Sequence, residues 1–471
     1  IIMRILYKIG ITVFSGMILT SCVVGKKYSR TELNAPDKYR EELTVTGDTI
    51  LHSWKTYYKD PLLVNLIEKA LVKNNEVLIA VKSMEQLDLN YKQAKLSLLP
   101  TLDFDAAASR SYLSKNSLNG SLSAQFTSKD YMDDYSANLR MSWEVDIWGK
   151  AAMQKRDAKA AYFAQKENLS ALKTRIIVQV AQSYYNLLGL DEQLKIAEKN
   201  IELSDNTLQM MKLQYNSGSI SSLAVNQTEA QKKTAELLVP LAKANIAVQE
   251  NALQILCGEY PNTIERSGNL NVDEFAFEMP SGVPASLLSR RPDVKASEYA
   301  VMSATAKTGL AKATMYPTLS LSPSIGINSF EFDTWFNFPG SVTKNIAANL
   351  AQPIFRKKAL RTAYEVAVLE QEKAVVQFKQ SFITAVGEVS DAMSRLKYAD
   401  ERIKLAEEKA ISLEKATSDA SLLYKSGMAN YLEIIAAQNS ALQNDLDVVT
   451  IKLEKLNASI NLYRALGGGV E

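Results

Sequence analysis

The feature that most restricts the fold is a strict alternation of apolar and polar residues over twelve positions, from Ser136 to Ile147. The apolar positions are Ala137, Leu139, Met141, Trp143, Val145 and Ile147, and the polar positions are Ser136, Asn138, Arg140, Ser142, Glu144 and Asp146. A period of two is that of a β-strand whose faces meet different surroundings. Alternation recurs at 102–107 and 319–328, and less regularly at 343–354. We predict four strands, at about 100–112, 133–148, 316–328 and 343–355.

Short sequence matches show that the chain is built twice from one unit. Leu-Pro-Thr-Leu at 99–102 returns as Tyr-Pro-Thr-Leu at 316–319, and Tyr-Asn-Ser-Gly at 215–218 returns as Tyr-Lys-Ser-Gly at 424–427. Leu-Cys-Gly at 256–258 returns as Leu-Gly-Gly at 466–468, so all three offsets lie between 209 and 217 residues. Matches that keep their order at nearly one offset indicate an internal duplication. We predict a duplicated helix-strand-strand-helix-helix unit, hence a mainly α fold with β-strands.

Long stretches free of proline follow each pair of strands. Residues 149–217 and 356–426 contain none, although the chain of 471 residues has 12 prolines and 19 glycines. An unbroken helix of about 70 residues would be ~100 Å long. Residues 61–98 and 219–256 could pair with the first long helix, and 284–315 and 428–466 with the second. Apolar residues recur at coiled-coil spacing, as in Ile176, Val180, Leu187 and Leu194.

The strands favour a membrane β-barrel shared between copies. An ordinary half-buried sheet in a soluble domain would alternate in the same way, but strands of ~10 residues in a secreted chain fit a barrel. Four strands cannot close alone, and a barrel of about eight is filled by its own side chains. Three copies would give twelve strands around a wider lumen. We therefore expect a homotrimer whose polar faces line a wet pore.

The N-terminus reads as a secretion signal followed by a lipid anchor. Arg4 and Lys8 precede the apolar run 9–19, which is followed by Thr20-Ser21-Cys22. Residues 19–22, Leu-Thr-Ser-Cys, resemble the bacterial lipobox, in which the cysteine is lipidated and becomes the mature N-terminus. Acyl chains there would hold the protein at a membrane. The alternative is a chance cysteine after a plain signal peptide. Val23 in place of aspartate favours the outer membrane over the inner one.

These features together resemble the TolC family of outer-membrane efflux proteins, in its lipoprotein branch of OprM/NodT-type factors from RND tripartite efflux systems. The motifs that carry the resemblance are the lipobox, the doubled unit, Ser-Trp-Glu-Val-Asp-Ile-Trp-Gly-Lys at 142–150, Leu-Ser-Arg-Arg-Pro-Asp at 288–293, and the segment 424–438. The resemblance implies a trimer with a twelve-stranded outer-membrane β-barrel on a long periplasmic α-helical barrel. It also implies a periplasmic adaptor, or membrane fusion, protein and an inner-membrane RND-type pump as partners.

The resemblance divides the chain and assigns candidate residues. The expected parts are a signal peptide at 1–21, an equatorial segment at 22–60 with lipidated Cys22, a first efflux repeat at 61–257, a linker at 258–283 and a second repeat at 284–471. Ser217, Gly218, Ser426 and Gly427 would contact the partner at the helical tips. Glu433 falls on an acidic gate position of the family, while the second acidic position and the tip arginine are Ala436 and Ala429. The alternative is that Glu433 is an ordinary solvent-exposed charge on a helix.

The expected function is an outer-membrane exit duct for passive export of small toxic compounds such as drugs and metal ions. The alternatives are a duct for type I protein secretion and a periplasmic coiled-coil lipoprotein without a pore. The sequence indicates neither an enzyme activity nor a site for a cofactor, a metal ion or a nucleic acid. It has one histidine, His52, and two cysteines, too few for most zinc sites. The 54 Lys and Arg nearly balance the 52 Asp and Glu, unlike the basic excess of nucleic-acid binders.

Overall fold

The computed structural model describes most of the chain, namely residues 24–26, 28–30, 32–33, 36–40, 53–114, 116–118, 120–121, 125, 129, 131–268, 270 and 286–469. Helix α1 (Trp54–Tyr57) precedes the first repeat, which forms α2 (Pro61–Lys73), α3 (Asn75–Leu96), β1 (Thr101–Ser111), β2 (Met132–Val145), α4 (Lys150–Asn216) and α5 (Ser222–Leu256). The second repeat forms α6 (Leu287–Arg290), α7 (Pro292–Ala313), β3 (Thr318–Ser329), β4 (Val342–Ala351), α8 (Ala359–Lys425) and α9 (Tyr431–Ala465). Both long helices, α4 and α8, have 67 residues.

The chain forms two compact units. The sheet unit consists of the described residues within Ile1–Thr31, Gln86–Phe163 and Tyr299–Val376, and the helical unit of those within Glu32–Glu85, Ala164–Glu298 and Gln377–Glu471. The sheet unit contains one antiparallel sheet with the order β1-β2-β3-β4. The mainly helical fold with a small sheet, duplicated along the chain, is confirmed. No described helix is long and apolar enough to pass through a lipid bilayer.

Two strands end earlier than the alternation predicted. Strand β2 ends at Val145 instead of about 148, because the Asp146 carboxylate accepts hydrogen bonds from the backbone N–H groups of Ala151 and Ala152, at 3.1 and 3.0 Å. These bonds satisfy free N–H groups at the start of α4. Strand β4 ends at Ala351 instead of about 355, ahead of Pro353, which has no N–H for a strand ladder.

Two helices predicted as single rods are each broken once, at equivalent places in the two repeats. The first break is at Asn74, whose side-chain oxygen accepts from the N–H groups of Glu76 and Val77 while its Nδ2 donates to the carbonyl of Leu256. The second is at Arg291, between α6 and α7. Asn74 has the extended backbone of a helix cap, and Pro292 begins a helix because its missing N–H would be unpaired there anyway.

Aromatic side chains form much of the core of the helical unit. Tyr57, Tyr58, Tyr184 and Tyr463 are all almost completely buried. The rings of Tyr57 and Tyr463 stack at 4.1 Å between centroids, and the Tyr57 hydroxyl donates to the carbonyl of Ser459. Burial raises the pKa of Tyr57 and Tyr58 well above the ordinary value. The core therefore ties α1 to α9, at opposite ends of the sequence.

Candidate functional site

The strand register gives the sheet one polar and one apolar face. Asp103 pairs with Arg140, which pairs with Ser324, which pairs with Asn345. One residue along, Phe104 pairs with Leu139 and Leu139 with Ile325. On the polar face Arg140 also forms an ion pair with Asp105 at 2.9 Å. The alternation therefore separates polar from apolar side chains along most of the sheet, with the exception that Lys344 of β4 pairs with Ile325 on the apolar face.

The apolar face of the sheet is uncovered in a single chain. Phe104 is 71% exposed, Ile346 is 87% exposed and Leu350 is 68% exposed. The outer edges of β1 and β4 have no strand partner among the described residues. An apolar face and two free edges are both unfavourable in water. A surrounding lipid phase would cover the face, and further copies of the chain would pair the edges.

Three side chains fasten the ends of the strands to the neighbouring helix ends. The indole N–H of Trp143 donates to the carbonyl of Leu98 at 3.0 Å. The indole N–H of Trp148 donates to the carbonyl of Pro317 at 2.6 Å, and the Trp148 ring packs on Tyr316. Gln352 donates to the carbonyl of Met315 at 3.2 Å. The three accepting carbonyls lie in the short segments between a helix and a strand, so these bonds fix the connections between helices and sheet.

The predicted tip residues form two matching helix ends in the helical unit. Gly218 and Gly427 have φ values of +75° and +73°, which glycine adopts without strain. Gly218 donates to the carbonyl of Tyr215, and Ser219 donates to that of Gln214. At the end of α8 the N–H groups of Gly427 and Met428 donate in the same way to the carbonyls of Tyr424 and Leu423. Ser217 and Ser426 each bond back to a carbonyl of the last turn. The structure thus builds both tips as glycine-capped hairpins.

Two tyrosines that sequence reasoning did not select connect the hairpins. The Tyr424 hydroxyl donates to Gln214, and the Tyr431 hydroxyl donates to Gln227. Tyr424 is 8% exposed and packs against Met211 and Ile434, whereas its repeat counterpart Tyr215 is 49% exposed. Burial raises the pKa of Tyr424. The Tyr-x-Ser-Gly repeat was a usable signal, but it could not reveal which of the two tyrosines is buried.

Glu433 has a defined local role at the start of α9. Its carboxylate accepts from the backbone N–H of Asn430 at 3.5 Å, and the Asn430 side chain accepts from the N–H of Leu432 at 3.4 Å. This reciprocal pair is a capping box. Glu433 is exposed in the single chain, so its carboxylate remains accessible. Serving as a cap does not prevent the carboxylate from also facing an axis shared by several copies.

The remaining candidates differ in how far the structure describes them. Cys22 and His52 lie outside the described residues. Cys257 is buried, and its thiol donates to the carbonyl of Leu66 at 3.6 Å. Burial raises the pKa of this thiol to about 11. Within the described ranges, no three His, Cys, Asp or Glu side chains are grouped as metal ligands would be.

Comparison with known proteins finds one matching family and several similar proteins. The model of the outer membrane efflux protein family matches residues 66–259 and 283–468. The cation efflux system protein CusC of Escherichia coli O6:H1 is 26% identical over 456 residues, covering 96% of each chain. The solvent efflux pump outer membrane protein SrpC of Pseudomonas putida is 28% identical over 422 residues, covering 89% of this chain and 88% of SrpC. A crystal structure of CusC superposes with a TM-score of 0.85 at 25% identity, covering 95% of this chain and 100% of that one.

Proposed function

This chain belongs to the outer membrane efflux protein family, and we propose that it is the exit duct of a tripartite system that expels small toxic compounds. Members of the family are passive trimeric channels of the outer membrane, not enzymes. The observation that carries the proposal is the sheet with one polar and one uncovered apolar face. A lipoprotein without a pore would leave this apolar face uncovered, so the sheet supports the duct over that alternative.

We propose that the partner pump, more than the duct, determines which compounds are exported. CusC is named for cations and SrpC for solvents, although both are similar to this chain over most of its length. We propose drugs and metal ions as the cargo. Export of a protein through a type I secretion system is the second candidate. The lipobox at 19–22 favours the drug and metal branch of the family.

The helical tips are the proposed contact for a periplasmic adaptor protein, which would connect the duct to an RND-type pump. Ser217, Gly218 and Ser426 are exposed, and so is Gly427. A methyl group added to either glycine would meet no atom within 4 Å. Two similar turns with free space around them offer repeated surfaces to a partner.

Glu433 is the proposed gate residue, and its charge can be separated from its capping role. Glutamine keeps a capping box but removes the charge. If three Glu433 carboxylates surround the axis, they attract cations and repel anions. We expect Glu433→Gln to lower the preference for cations and Glu433→Lys to reverse it, with circular dichroism unchanged for Glu433→Gln. The measurement is the reversal potential in a planar bilayer under a salt gradient.

A matched control for this test is Glu414→Gln, which removes a carboxylate from α8 in the same helical unit, away from the tip. It should leave the reversal potential as in the original protein. Equal reversal potentials for the original protein, Glu433→Gln and Glu433→Lys would show that Glu433 is only a cap, and conduction itself would still support the duct.

Lipidation of Cys22 is the proposed membrane anchor, and a thiol count tests it. The chain has only Cys22 and Cys257, and a lipidated Cys22 has no free thiol. At pH 8 the buried Cys257, with a pKa of about 11, holds about one thiolate per thousand thiols. We expect almost no reaction of the folded protein with a thiol reagent, and one thiol per chain in guanidinium chloride.

The control for the thiol count is Cys257→Ala, which should give no reactive thiol after unfolding. Two thiols per unfolded chain of the original protein, or one in Cys257→Ala, would mean that Cys22 carries no lipid.

A further inference from the structure

A cavity in the sheet unit has an apolar floor. Its volume is about 360 Å³, and it lies where residues 26 and 28 run beside α4 and α7. Met153, Ala160, Phe163, Tyr299 and Met302 line the floor. The Phe163 and Tyr299 rings are stacked with centroids 5.5 Å apart. A half-open cavity of this composition favours an apolar chain over water.

The rim of the same cavity is positively charged. Lys26, Arg156 and Lys159 belong to its lining, and the lining contains no Asp or Glu. Arg156 contacts the Met153 sulfur at 3.9 Å, and the Lys159 ammonium lies 5.8 Å from the Phe163 ring centroid. Among the described residues, none of the three cations forms an ion pair. Three uncompensated cations beside an apolar floor complement a ligand with an anionic head and an apolar body.

The segment that borders the cavity comes directly from the proposed anchor. The Val24 N–H donates to the carbonyl of Trp148 at 3.2 Å, where β2 has just ended. A Cβ on Gly25 would lie 2.7 Å from the Met153 Cε atom and 3.1 Å from the Gly309 Cα atom, so the backbone is packed tightly on α4 and α7. Cys22 precedes Val24 by two residues. Acyl chains on Cys22 would require this side of the helices to face the bilayer and not the lumen.

We propose that this cavity binds one anionic phospholipid at the periplasmic boundary of the membrane, which rests on the proposed function. The acyl chain lies on Met153, Phe163 and Met302, and the phosphate meets Lys26, Arg156 and Lys159. A lipid attached to Cys22 would be a neutral glyceride and would leave the three cations unpaired. Free phosphate leaves the apolar floor empty. An anionic phospholipid satisfies both halves of the cavity.

Native mass spectrometry of the delipidated mature oligomer tests the proposal, with phosphatidylglycerol and phosphatidylcholine added separately. We expect up to one phosphatidylglycerol per chain, retained about tenfold more tightly than phosphatidylcholine. The double variant Arg156→Gln/Lys159→Gln should lose about tenfold in affinity for phosphatidylglycerol. The control Lys155→Gln/Lys166→Gln removes two exposed cations of the same helix that do not line the cavity, and it should bind as the original protein does.

Three results would overturn the lipid site. They are equal retention of the two lipids, unchanged binding by Arg156→Gln/Lys159→Gln, and complete displacement of phosphatidylglycerol by millimolar inorganic phosphate. Conductance recorded on the same sample keeps this test separate from the proposed function. A conducting oligomer that retains no anionic lipid contradicts only the lipid site, whereas a sample that neither assembles nor conducts contradicts the duct.

Discussion

Replacing Gly258 by alanine is expected to destabilise the protein by about 3 kcal/mol. Gly258 ends α5 with φ +70°, a conformation that costs a residue with a Cβ about 1–2 kcal/mol. The new Cβ would also lie 2.3 Å from the carbonyl oxygen of Lys73. Because the clash is with backbone, the chain must move, and such overpacking costs about 1–3 kcal/mol. The free energy of unfolding in urea, followed by circular dichroism in detergent, measures the effect.

Gly218→Ala is the matched control for Gly258→Ala. Gly218 ends α4 with φ +75° and makes the same pair of backbone bonds, but a methyl group added to it would have no atom within 4 Å. Only the conformational cost remains, so we expect a loss of about 1 kcal/mol. Equal losses for the two variants would contradict the close packing of Gly258 on Lys73.

Arginine in place of Ala348 is expected to impair assembly in the membrane, whereas arginine in place of Ala347 is not. The two alanines are neighbours in β4 and are exposed in the single chain. Ala348 pairs with Leu321 on the apolar face, and Ala347 pairs with Ser322 on the polar face. An arginine facing lipid destabilises a membrane β-barrel by about 2–4 kcal/mol near the midplane and by less near the interfaces. The arginine of Ala347→Arg would instead face the water-filled lumen, where it remains hydrated.

The yield of oligomer that resists dissociation in unheated detergent gel samples measures this difference. We expect a clear loss for Ala348→Arg and a yield close to that of the original protein for Ala347→Arg. Similar yields for both would mean that the two faces meet similar surroundings, and the opposite order would mean that the polar face meets the lipid.

The regular elements were predictable because their signals are local and periodic. The alternation at 136–147 was enough to predict β2, and the absence of proline from 149–217 was enough to predict α4. The break at Asn74 was missed because it depends on a bond to Leu256, which is far away in the sequence. Asn74 was nevertheless a usable signal, because asparagine is favoured at the position that caps the start of a helix.

The candidate site was predictable only in part. The glycines of the tips follow from the need for positive φ at the end of a helix. The buried Tyr424 and its bond to Gln214 arise from packing between two hairpins, which no local pattern reports. The cavity beside Phe163 brings together residues near 26, 160 and 302, so its mixed lining becomes visible only in the folded chain. Strand and helix periodicity carries no information on such contacts.

The central claim is that three copies of this sheet close into one water-filled pore, and conductance of a sample of known mass tests it most directly. The purified protein would be weighed by mass photometry and then recorded in a planar bilayer. We predict particles of three chains that form channels with a preference for cations. Particles of one chain that neither insert nor conduct would contradict a shared pore.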